Sequence, residues 1–165
     1  MLRTVYLVKD GKFKSAEIDC AIADGHCHSK YSSEFIQDNF TKIIGVRESY
    51  TKIKKLYKVL KTKGMDFFTV SDHNRIEGAL ELRKRHPSKS FVNCEYDVLV
   101  EPFKPNKKLH KIVHLNCYGL DYARNSGHAL SDETVMDLHE RLLLEAKRGF
   151  KAFIGYCLDN DIGIS

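Results

Sequence analysis

The sequence predicts an α/β fold, and two observations carry that expectation. Short runs of β-branched and aromatic residues alternate with stretches whose apolar residues recur at helical spacing. Residues able to do chemistry then collect where the strand-like runs end. Alternation of this kind argues for a largely parallel sheet, open or closed into a barrel, with its chemistry at the carboxyl ends of the strands. The chain has 165 residues, 42% hydrophobic and 30% charged, which suits one globular domain with a core of its own.

The first strands form a β-hairpin: TVYLV, a turn at Asp10-Gly11, and a return through KFKSAEI. A short strand follows in AIADGHCH. Residues 29–46 make a longer, partly helical connection carrying Phe35, Ile36, Phe40 and Ile43. Ile53, Leu56, Tyr57 and Leu60 then recur at helical spacing, and Gly64 is a favoured residue to end that helix. MDFFTVSDHN reads as a strand ending in polar groups, and a helix is expected over Glu77–Arg85 with Pro87 beyond it. FVNCEYDVLV and KIVHLNCYGLD read as two more strands, separated by the turn-rich EPFKPNKK. A long helix begins near Ser131, with Val135, Leu138, Leu142 and Leu143 on its apolar face. NDIGIS opens a last strand.

Composition removes several function classes. No apolar run approaches the ~20 residues that span a bilayer, and MLRTVYLVKDGK is charged too early for a secretory signal. A cytoplasmic protein with no membrane partner is expected. The five cysteines are scattered, with no C-x-x-C pair, which fits a reducing compartment and excludes a zinc ribbon. Cys27 and Cys94 alternate with candidate ligands and should point away from them as small core residues. The net charge of +5 owes much to lysines 52, 54, 55, 58, 61 and 63. With no aromatic residues interleaved on the basic face to stack bases, the sequence argues for a solvated surface over a nucleic-acid patch. The positive field favours phosphorylated small-molecule substrates.

Chemistry concentrates in four places. His26 and His28 stand one residue apart on a strand, so both imidazoles face the same side and can reach one cation. His73 lies in SDHN, Glu95 in NCEYD and His114 in KIVHLNCYG, each near the end of an expected strand. Imidazole and carboxylate suit zinc, manganese or iron, and one carboxylate can bridge two cations. Several imidazoles with a glutamate and no thiolate pair describe an open, catalytic site rather than a closed, structural one. His128 and His139 read as surface residues.

Taken together, DGHCHSKYS, GMDFFTVSDHNRIEGAL, NCEYD and VHLNCYGLD resemble, in order, four motifs of the PHP (polymerase and histidinol phosphatase) domain. The resemblance covers about residues 20–122. It implies an incomplete distorted (β/α)₇ barrel of the PHP type, preceded by the hairpin, and a metal-dependent phosphoesterase with two or three divalent metal ions. By the same resemblance His26 and His28 hold a first metal, which Glu95 bridges to a second. His114 ligates the second and His73 a third. Asp24 and Asp72 join the catalytic set as outer groups that orient the imidazoles. Where the family places an Asp or His after the first-motif serine, this chain has Glu34 as the substitute ligand. No H-P histidine or final D-x-H follows His114, so residues 1–165 look like the first half to two-thirds of such a domain, truncated at its C-terminus. An unclosed barrel exposes strand edges, so a homo-oligomer is expected.

Hydrolysis of a phosphate mono- or diester is thus the leading expectation. The alternative is a catalytically incomplete metal-binding fragment acting as an interaction or regulatory module. A nuclease-like or proofreading role ranks last, since only the lysine face supports it.

Overall fold

The computed structural model describes residues 2–9, 12–19, 21–32, 51–104, 110–125 and 127–165. The hairpin is present: strand β1 (Leu2–Lys9) pairs antiparallel with β2 (Lys12–Asp19), and Lys9 lies opposite Lys12. That register leaves a two-residue loop, the length an Asp-Gly turn serves. The turn itself, Glu34 and the connection over 33–50 lie outside the described residues.

Strand β3 (Ala23–Asp24) pairs in parallel with β4 (Phe67–Phe68). Helix α1 (Ile53–Thr62) lies between them in sequence, buries Ile53 and Leu60, and ends before Gly64 at φ +77°. Beyond β4 the chain stays extended and is held from both sides. Ser71 N donates to Cys27 O at 2.8 Å, Glu95 N to Asp72 O at 3.2 Å, and Asn74 N to Glu95 O at 2.8 Å. Helix α2 spans Glu77–Arg85, as expected from the sequence.

Strands β5 (Cys94–Leu99), β6 (Ile112–Tyr118) and β7 (Gly163–Ile164) form the three-stranded sheet. Here the structure corrects the expectation of a largely parallel sheet, because both of its pairings are antiparallel. The register of β5 and β6 runs from Leu99↔Ile112 to Cys94↔Cys117. Among the described residues, parallel pairing is confined to β3–β4 and the isolated bridges Phe68↔Ser90 and His73↔Glu95. No closed barrel is present among the described residues.

After a 3₁₀ turn over Leu120–Asn125, helix α3 (Asp132–Arg148) starts at Ser131, whose Oγ accepts from Thr134 N at 3.2 Å. Gly149 separates it from a further helix, α4 (Phe150–Asp159). Only glycine suits that junction: its φ is +107°, and an added Cβ would stand 3.0 Å from Pro102 N. Both helices pack on β5 around Tyr96, Val98, Leu142 and Phe153, all fully buried. His139 belongs to this core and is 6% exposed, against the surface position expected for it. It lies one helical turn beyond buried Val135, on the apolar stripe of α3. His128 is exposed, as expected. No helix among the described residues is long and apolar enough to cross a membrane.

Candidate metal centre

Residues 26–28, 71–74, 94–97 and 114–117 lie side by side as neighbouring extended segments. The register of β5 and β6 sets Glu95 opposite Asn116 and Asp97 opposite His114. The parallel bridge His73↔Glu95 aligns the third segment. Side chains two apart on a strand share a face, so the E-x-D of β5 and the H-x-N of β6 form a patch of four polar groups. His26, His28 and His73 reach it from the other side.

Glu95 lies at the centre. Its Oε2 is buried and makes no aligned hydrogen bond. Three imidazole nitrogens face it: Nε2 of His26 at 3.2 Å, of His28 at 3.3 Å and of His73 at 3.5 Å. Its Oε1 lies 3.4 Å from Nδ1 of His114. The two Nε2 atoms of His26 and His28 are themselves 3.1 Å apart. Burial raises the pKa of the Glu95 carboxyl, but the close approach of His28 and the charges of His73, His26 and His28 outweigh it, and the net shift is downward.

Three donor atoms at mutual separations of 3.1–3.3 Å fit one divalent cation. A tetrahedral zinc with bonds of about 2.0–2.1 Å holds its ligands roughly 3.3 Å apart. The donor chemistry agrees, being two imidazoles and a carboxylate. A second group, His73, Asp97 and His114, is also close enough to hold a cation. Nδ1 of His73 is 3.0 Å and Nδ1 of His114 is 3.8 Å from Asp97 Oδ1.

Each inner imidazole has a polar partner on its other nitrogen. Nδ1 of His28 is 3.3 Å from Ser32 Oγ, and that hydroxyl also accepts from His73 N at 3.1 Å. Asp97 faces Nδ1 of His73 and is itself fixed by Asn74. The Asn74 amide donates to Asp97 Oδ2 at 2.9 Å and accepts from Asp97 N at 3.0 Å. Asn74 adopts φ +52°, a left-handed conformation asparagine tolerates. The Asn116 amide stands 2.6 Å from Nδ1 of His26, while its Oδ1 is buried without a partner. Turned through half a rotation, that amide presents Oδ1 to a protonated Nδ1 and leaves the Nε2 lone pair for a cation.

The residues singled out in the sequence divide accordingly. His26, His28, His73, Glu95 and His114 come together. Asp24 Oδ1 accepts from His26 N at 3.1 Å and so sets the backbone of the H-x-H turn. Asp72 is fully buried and accepts from Ser29 N at 2.5 Å and Ser29 Oγ at 2.7 Å, clamping the loop after His28. Glu34 lies outside the described residues. Cys27 donates to Thr69 O at 3.1 Å, and burial, then Asp24 and Asp72, push its thiol up to about 12. It is a protonated thiol turned away from the site, as alternation predicts. Sequence reasoning missed Asp97, Asn116, Asn74 and Ser32. The first two had a signal, since each follows a chosen ligand by two residues on a strand.

No protein-family model, no curated protein and no solved structure matches the chain.

Proposed function

We propose that the chain is a metal-dependent phosphoesterase of the PHP type, hydrolysing a phosphate mono- or diester of a small molecule. One observation carries the reading. Glu95 Oε2 is buried without an aligned hydrogen bond while three imidazole nitrogens converge on it and a fourth faces Oε1. An arrangement with more lone pairs than protons to share is costly unless a cation completes it. In this reading His26, His28 and Glu95 hold one cation. His114, with Glu95 Oε1 and Asp97, serves a second, and His73 closes the wall between them.

Bound cations supply Lewis acidity toward a phosphoryl oxygen and lower the pKa of a water. The chain supplies the rest. The side chains of His26 and His114 are each 49% exposed and form the open side through which an ester enters. The side chains of His73, Glu95 and Asp97, 8%, 8% and 4% exposed, form the dry back wall. Asp97 holds the proton on Nδ1 of His73 and so keeps its Nε2 directed at Glu95.

Metal content per chain, measured by plasma mass spectrometry on protein purified without chelator or added metal, tests the proposal. At least one equivalent of zinc, manganese or iron is expected, with less in His114→Ala and turnover of an aryl phosphate by the loaded protein. Unchanged stoichiometry in His114→Ala would remove that ligand. Metal at full occupancy with no turnover favours the alternative, an interaction or regulatory fragment. A folded protein with metal near zero overturns both readings for this chain.

A further inference from the structure

The lysine-rich helix presents a second site, in the groove where α1 meets the end of α2. A cavity of about 410 Å³ lies between α1 and the end of α2, lined by Ile53, Lys54, Tyr57, Lys58, Arg85 and His86. Its wall is a stacked pair: the rings of Tyr57 and His86 lie 3.7 Å apart at 8°. Tyr57 is braced from behind by an edge contact with Phe68 at 5.1 Å. A second cavity, about 280 Å³, is lined among the described residues by Lys52, Lys54, Lys55 and Lys58, and shares two lysines with the first.

The two cavities differ in chemistry in a way that selects the ligand. Ile53 and the Tyr57–His86 pair give the larger an apolar wall beside the cations Lys54, Lys58 and Arg85, while the described lining of the smaller is lysine alone. A nucleobase suits the first, and phosphates suit the second. Lys54, Lys58 and Lys61 follow the i, i+4, i+7 stripe beside Tyr57, all exposed, and span about 10 Å along the axis. That track continues past the aromatic slot, which suits a chain of phosphates better than one nucleotide. Arg85 is already engaged by Glu81 at 3.0 Å, so the lysines carry the free charge of the groove. His86 comes from a different helix end, 29 positions after Tyr57, so the sequence of the basic helix alone does not show the platform.

We propose that this groove binds single-stranded nucleic acid, with one base in the slot walled by Tyr57 and His86 and the backbone following Lys54, Lys58 and Lys61. Stacking on an aromatic platform beside a positive track is the general means of holding single strands.

Fluorescence anisotropy with a labelled dodecathymidylate, in the presence of chelator so that the metal centre plays no part, tests it. Wild type binds with a steep salt dependence. The pair Lys54→Gln, Lys58→Gln flattens the log–log salt slope by about 1.4, at about 0.7 per phosphate contact. His86→Ala weakens binding about fivefold or more, the lower end of base-stacking losses, while Tyr57→Phe retains the platform and binds as wild type. An abasic strand of equal length and charge binds more weakly than the thymidylate and is indifferent to His86→Ala. Equal affinity for the abasic strand overturns the base slot. Equal competition by polyglutamate of matched charge overturns nucleic acid in favour of an acidic protein partner, and absence of binding at low salt overturns the site.

Discussion

Strand β5 is buried on both faces, and the two faces keep their polar groups in opposite conditions. Toward the helices it turns Cys94, Tyr96 and Val98; toward the cleft it turns Glu95 and Asp97. On the helix side a single donor meets a single acceptor. The Tyr96 hydroxyl stands 2.7 Å from Nδ1 of His139, and Phe153 packs on the Tyr96 ring with centroids 5.4 Å apart. On the cleft side four imidazoles crowd one carboxylate whose Oε2 has no aligned hydrogen bond. The same residue type therefore plays two parts one strand apart. A closed donor–acceptor pair is the mark of structure, and an excess of lone pairs in a dry cleft is the mark of a cation site.

The comparison breaks first at Glu95. Glu95→Gln keeps the shape, removes the charge, and leaves an amide that cannot serve several imidazoles and two cations. We expect loss of at least one metal equivalent and, on the proposed reading, a fall in aryl phosphate turnover beyond the roughly 10–100-fold typical of groups that only orient ligands. Metal content equal to wild type would show that the crowding of imidazoles has another cause. Asp97→Asn acts one step further out. Its amide must set an N–H against either the Asn74 amide or the protonated Nδ1 of His73, so His73 loses its fixed direction. Metal affinity measured against a competing chelator should weaken about 10–100-fold, with stability in chelator much less affected.

The sequence exposed the cleft side of β5 better than the helix side, for physical reasons. H-x-H and a lone Glu among strand residues announce themselves, because burying such groups without a purpose is costly. Asp97 and Asn116 were legible by the same alternation, but an Asp near a strand end and an Asn before a cysteine each have common structural uses. His139 was misplaced because histidine is ambivalent: only the tertiary position of Tyr96, 43 residues earlier, gives its buried ring a partner. Helices α1 and α3 followed from periodicity, and the hairpin from its turn. Sheet direction did not, since a run of strands and helices does not say whether a loop returns or crosses over. The antiparallel register is what sets Glu95 beside Asn116 and Asp97 beside His114, so the site depends on the part of the topology that was hardest to read.

The two faces also separate in pH. Burial holds His139 at about 4, below its usual 6.5, with Arg75 also lowering it and Glu77 and a hydrogen bond donated to the Asn74 backbone raising it. Between those values the unfolded chain binds a proton that the folded chain refuses, so stability falls as pH drops from about 6.5 to 4 and then levels. The loss is on the order of 3 kcal/mol. The Glu95 carboxyl, net lowered by its imidazoles, loses its contribution lower down, as pH falls below the ordinary carboxylate value of 4.5. Urea unfolding in chelator across this range should show a shallower pH slope for His139→Gln than for wild type between pH 4 and 6.5. Parallel curves would mean that His139 titrates normally and that the helix-side pair is open to water.

Tyr96→Phe is the gentlest cut and the sharpest on independence. It keeps the ring against Phe153 and removes only the hydroxyl facing His139. A buried imidazole nitrogen then lacks its partner, which costs about 1–3 kcal/mol and lowers the melting temperature by about 2–4 °C for each kcal/mol in a chain of this size. Tyr96 lies between Glu95 and Asp97 in sequence, yet its side chain leaves the sheet on the other side. Metal stoichiometry and metal affinity should therefore match wild type. A variant that melts earlier but holds its metal would show that the strand insulates its two faces. A variant that loses metal would show that the helix-side pair fixes the backbone on which both carboxylates stand, and the two faces would then have to be treated as one unit.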